Sequence, residues 1–108
     1  MQLLQNHIEE IQTLCVKHNV AQMYLFGSAA ANQMKPDSDI DLLVTFLPSV
    51  DLLDYADNYF SLLDSLQDLF GRNVDLVSQK SLKNSVLIDQ INNSKILLYE
   101  SANSEIHS

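Results

Sequence analysis

Apolar side chains at Leu4, Ile8, Ile11 and Cys15 recur at spacings of four, three and four, which places them on one face of a helix running from residue 3 to about 18. Residues 22–26, Gln-Met-Tyr-Leu-Phe, are short, aromatic and β-prone, and Gly27 lets a strand leave its sheet through a tight turn. A second turn at Lys35-Pro36-Asp37-Ser38 precedes a buried strand over 39–46. There Ile40, Leu42, Val44 and Phe46 alternate against Asp39, Asp41, Leu43 and Thr45. The strongest helical pattern covers 51–70. Its apolar positions, from Leu52 and Leu53 through Tyr55, Tyr59 and Phe60 to Leu66 and Phe70, fill about half the cylinder and leave Asp54, Asp57, Asp64 and Asp68 on the wet half. Gly71-Arg72-Asn73 stops that helix. A short strand at 74–77 follows, with Asp75 opposite Val74 and Leu76, then a helix over 82–93 through Leu82, Val86, Leu87 and Ile91, and a last apolar segment at 96–99. Helices alternating with strands over so short a chain predict a single α/β domain over residues 1–100, with 101–108 a polar tail expected to fray.

Composition narrows the function classes. With 14 acidic against 6 basic residues in 108, the net charge is −8, which argues against direct nucleic-acid binding and is compatible with a basic protein partner. The single Cys15 excludes a disulfide framework and a thiolate zinc site, and His7, His18 and His107 are too scattered to form a metal cluster. The N-terminus lacks a basic, then apolar, leader, and no apolar run approaches the roughly 18 residues of a membrane span. The expectation is a soluble, cytoplasmic protein. So short a chain also leaves little room for a deep acceptor pocket of its own.

One spacing carries chemistry: Gly27-Ser28, ten residues, then Asp39-Ile40-Asp41. A strand ending in Gly turns without a Cβ clash and presents free N–H groups to an anion, with the Ser28 hydroxyl as a further donor. Asp39 and Asp41 are two apart on a strand, so both carboxylates leave one face and suit a hard, oxygen-seeking cation such as Mg²⁺. Asp75, on a neighbouring strand, would complete the set as a third carboxylate able to draw a proton from an attacking hydroxyl. Lys35 is the nearest cation in sequence. A calcium loop fits Asp37, Asp39 and Asp41 at its first, third and fifth positions, but Leu42 stands at the glycine position and Pro48 at that of the bidentate Glu. A P-loop fails for want of its Gly-Lys-Ser/Thr element.

Phe26-Gly27-Ser28, the run from Pro36 to Val44 and Asn73-Val74-Asp75-Leu76-Val77 together resemble the minimal nucleotidyltransferases of the polymerase-β superfamily, over about residues 20–99. Members of that family commonly act as antitoxins of HEPN-domain ribonucleases. The resemblance implies a short mixed β-sheet flanked by α-helices, with ATP and Mg²⁺ as cosubstrates. It implies metal binding and catalysis at Asp39, Asp41 and Asp75, and nucleotide-phosphate binding at Gly27 and Ser28, with Lys35 beside them. It further implies transfer of AMP onto a Tyr hydroxyl of a HEPN toxin, within a hetero-oligomer. The family usually continues Gly-Ser with Arg-Ala-Arg-Gly, whereas this chain has Ala29-Ala30-Ala31-Asn32. That departure supports a second reading, an antitoxin that neutralises its toxin by binding alone.

Overall fold

The computed structural model describes residues 5–27, 39–79 and 82–101. In chain order these form α1 (Ile8–Lys17), β1 (Val20–Phe26), β2 (Ile40–Phe46), α2 (Leu52–Phe70), β3 (Val74–Ser78), α3 (Ser85–Ser94) and β4 (Ile96–Glu100). The strands make one sheet in the order β3-β2-β1-β4. β1 runs antiparallel to both β2 and β4, while β2 and β3 are parallel. A parallel pair needs a crossover rather than a hairpin, and α2 supplies it. The mixed sheet flanked by helices that the family resemblance implies is therefore present.

Alternation along the strands builds the core. Met23 and Leu25 of β1, Ile40, Leu42 and Val44 of β2, and Val74 and Leu76 of β3 form one buried cluster with Ile11 and Cys15 of α1 and Leu62, Leu66 and Phe70 of α2. Those helical residues recur every four positions, so each helix lays one stripe on the sheet. Burial pushes the Cys15 thiol up to about 12, which keeps it an inert core group. His18 ties α1 to α2. Its Nδ1 lies 2.8 Å from the Leu14 carbonyl, which can only accept, so in the neutral ring Nε2 accepts from the Ser61 hydroxyl at 3.0 Å.

Several boundaries differ from those the pattern suggests. β1 begins at Val20 rather than 22, because Asn19 takes a left-handed φ of 58° and turns the chain directly out of α1. α3 begins at Ser85 rather than 82, where the Asn84 side chain accepts from the Val86 N–H at 3.0 Å and sets the helix start. Gly71, at φ 66°, ends α2 as expected, its N–H donating to the Gln67 carbonyl. Ser101 is buried and donates its N–H to the Ala21 carbonyl, so the ladder continues into the first residue of the expected tail; 102–108 lie outside the described residues. Among the described residues no helix is long and apolar enough to cross a membrane.

Candidate active site

Two neighbouring strands bring the carboxylates together. Asp41 follows Ile40 into β2, and the parallel register sets it directly against Asp75 of β3, just as Ile40 faces Val74 and Leu42 faces Leu76. Neighbouring strands lie about 4.8 Å apart, and residues paired in register share a face. Since Ile40, Leu42, Val74 and Leu76 point into the core, Asp41 and Asp75 occupy the opposite face. Asp39, two residues before Asp41, stands exposed at the entrance to β2 on that same side.

On its other flank Asp41 pairs with Phe26, the last residue of β1, and Gly27 follows with φ 72°. A Cβ placed on Gly27 would fall on Asp41 Oδ2, with Cγ at 3.1 Å and the Asp41 Cβ at 3.3 Å. The Asp41 carboxylate thus rests against bare backbone, and only glycine leaves it that room. Burial, then the charge of Asp75, then that of Asp39 raise the Asp41 carboxyl above the ordinary carboxylate range. Desolvation and like-charge repulsion both disfavour its anion, and an adjacent cation would reverse both effects.

The donor set is all oxygen and suits a hard cation. As the side chains stand, no three acidic, His or Cys side chains among the described residues are gathered closely enough to hold a metal ion at once. Asp41 and Asp75 are adjacent, and Asp39 is near enough for its charge to act on Asp41. Ser28 and Lys35, the other candidates from the sequence, lie outside the described residues, as do Ala29 and Ala31.

Sequence reasoning missed Tyr59. The sequence pattern places it in the apolar arc of α2, where it packs at the margin of the core, but its hydroxyl also donates to the Leu76 carbonyl, one residue beyond Asp75. Burial, the Asp75 charge and Tyr55 raise its phenol above the usual range. One turn earlier, Tyr55 bonds the Ser78 hydroxyl at 2.6 Å. The two tyrosines hold the outer edge of β3, the strand that carries Asp75. A spacing of four on a helix was the available signal, and core aromatics show it equally.

The arrangement is a glycine of positive φ packed on Asp41, with Asp75 in register beside it and Asp39 close by, at the strand ends of a short mixed sheet. A model of the family described as "Polymerase beta, Nucleotidyltransferase" matches residues 9–104. A Methanocaldococcus jannaschii protein named as a candidate protein adenylyltransferase is 43% identical over 68 residues, or 63% of this chain; the chain spans 65% of that relative's length. The protein adenylyltransferase MntA of Thermococcus cleftensis is 33% identical over 87 residues, 73% of this chain and 84% of its own. A chain in the solved structure of tri-AMPylated Shewanella oneidensis HEPN toxin with MNT antitoxin shares the fold at a TM-score of 0.63. It is 24% identical, and the match covers 99% of this chain and 79% of that one.

Proposed function

The chain belongs to the polymerase beta nucleotidyltransferase family, and on that premise we propose that it transfers AMP from ATP to a hydroxyl, that of a Tyr, on a HEPN-family ribonuclease toxin, which it thereby neutralises in the cytoplasm. The observation that carries this reading is the Asp41 carboxylate, seated on the Gly27 backbone and flanked in register by Asp75. Adenylyltransferase names among the relatives and the AMPylated HEPN toxin beside a similar fold support the choice of group and acceptor.

In this reading the catalytic domain is residues 1–100. Gly27 and Ser28 receive the phosphate tail through backbone N–H groups and the hydroxyl, with Lys35 as the nearby cation. Bound at Asp39, Asp41 and Asp75, Mg²⁺ would supply charge neutralisation at the phosphates. Asp75 takes the proton of the acceptor hydroxyl; its oxygen bonds to the α-phosphorus in line, the bond to the bridging α–β oxygen breaks, and pyrophosphate leaves. Positioning and charge do the work, so the protein forms no covalent intermediate.

Coexpression tests this reading. Intact-mass analysis of the toxin partner is expected to find added AMP with the wild type and none with the Asp39→Asn, Asp41→Asn double variant, and an unmodified partner in both would end the proposal. The binding-only reading draws on Ala29 and Ala31, which stand where the family usually has Arg, because lost charge-assisted hydrogen bonds to a polyphosphate weaken nucleotide binding. It predicts that the double variant still neutralises the toxin in cells.

A further inference from the structure

A groove of about 390 Å³ runs between α2 and the outer edge of β3, walled by Tyr55, Ala56, Tyr59 and Phe60 on one side and by Leu76, Val77 and Ser78 on the other. We propose that this groove seats the acceptor segment of the protein substrate, an apolar stretch flanked by Lys or Arg; the proposal rests on the adenylyl-transfer reading above. Its volume falls in the range of sites that receive a ligand or a large side chain.

Position ties the groove to the carboxylates. Leu76 and Val77 follow Asp75 directly on β3, and Tyr59, a wall of the groove, is near enough to Asp75 to feel its charge. A segment lying in this groove therefore runs beside the strand that carries the residue assigned to draw the acceptor proton. The groove also opens onto exposed apolar surface: Phe60 is 59% exposed, Leu52 90% and Leu53 92%. Leu52 precedes Tyr55 and Ala56 by three and four residues, so it extends the helical wall by one turn. The arc that the sequence pattern placed around half of α2 is thus buried only at Leu62, Leu66 and Phe70, and its N-terminal part faces outward.

Charge selects the occupant. α2 carries no Lys, Arg or His. Asp57 and Asp64 lie three before and four after Phe60, on the adjoining helix surface, and Asp51 and Asp54 bracket Leu52 and Leu53. Acidic side chains along the helical wall beside apolar ones favour an apolar segment with basic ends and disfavour an acidic one. A second copy of the chain would set the same acidic side chains against each other.

Fluorescence anisotropy with a labelled synthetic peptide tests the proposal. The peptide carries one Tyr between Leu residues with Lys and Arg at both ends; a counterpart replaces each Lys and Arg by Glu. The wild type should bind the basic peptide, more weakly as salt rises, and bind the Glu peptide at least about tenfold less well. Phe60→Ala and Leu53→Ser alter exposed side chains, so the fold should persist by circular dichroism while each weakens binding at least about fivefold. Equal, salt-independent binding of both peptides, or no binding of either, overturns the proposal. So does concentration-dependent dimerisation of the wild type that Phe60→Ala abolishes, which would give the groove to a second copy. Adding ATP and Mg²⁺ separates the two readings. Binding of the basic peptide without AMP transfer upholds the groove and counts against the transfer chemistry, whereas equal transfer to both peptides, untouched by Phe60→Ala, does the reverse.

Discussion

Replacing Gly27 by Ala should disable the site while leaving the fold standing, and the geometry sets the size of both effects. At φ 72° a non-glycine residue is strained by roughly 1–2 kcal/mol. The added methyl would also fall on Asp41 Oδ2, so the carboxylate must swing away, and with the Asp41 Cβ already 3.3 Å off the backbone cannot absorb the shift alone. An off-rotamer side chain adds about 0.5–1.5 kcal/mol. At roughly 4–8 °C per kcal/mol for a domain of this size, the melting temperature should fall by about 6–28 °C. A 1 Å misplacement at a reacting centre costs about 100-fold, so AMP transfer should fall at least that far. Gly71→Ala is the control. It has nearly the same φ, 66°, but nothing lies within 4 Å of its Cβ, so it should show the backbone strain and keep its activity within a few-fold. Both variants are compared by thermal melting and by transfer of label from ATP. If Gly27→Ala transfers as well as Gly71→Ala, the Asp41 carboxylate is not where the reaction needs it, and the site assignment fails.

Three other outcomes follow from particular contacts. Asp41 has its folded carboxyl raised above the unfolded value, so it favours folding when protonated, below the unfolded range, and loses that contribution as pH rises through the folded one. In chelator, Asp41→Asn should therefore melt above the wild type at pH 7, with the gap closing as pH falls toward 4; a variant that melts lower at pH 7 would mean protein donors hold the carboxylate. Mg²⁺ with ATP at ten times its dissociation constant should add about 1.4 kcal/mol, or roughly 6–11 °C, to the wild type and little to the Asp39→Asn, Asp41→Asn variant, and an indifferent wild type would count against a metal-nucleotide site. Tyr59→Phe keeps the ring and removes the donor to the Leu76 carbonyl, at a cost of about 0.5–1.5 kcal/mol in a denaturant titration; an unchanged midpoint would deny the bond a role in holding β3.

What the sequence makes legible is local. α2, bounded by Asp51 and Gly71, and β2, with its alternating Ile40, Leu42 and Val44, show their period directly. The pair Asp39 and Asp41 shares a side for the same reason. Pairing between distant strands leaves no such periodic mark. That Asp75 meets Asp41 depends on the parallel register of β2 and β3, and that Gly27 touches Asp41 depends on where β1 ends against β2. The role of Tyr59 and the outward turn of Leu52 and Leu53 are set by where the 19-residue α2 overhangs the short strand β3, which hydrophobicity along one helix cannot report.

The most direct measurement follows the two ends of ATP separately, using nucleotide labelled at the α- or the γ-phosphate, with Mg²⁺ and the HEPN partner. The account predicts that α-label appears on the partner, that γ-label leaves as pyrophosphate, and that Asp41→Asn or Asp75→Asn removes both signals. Label from the γ-phosphate on the partner, or α-label transfer undiminished in those variants, would contradict it.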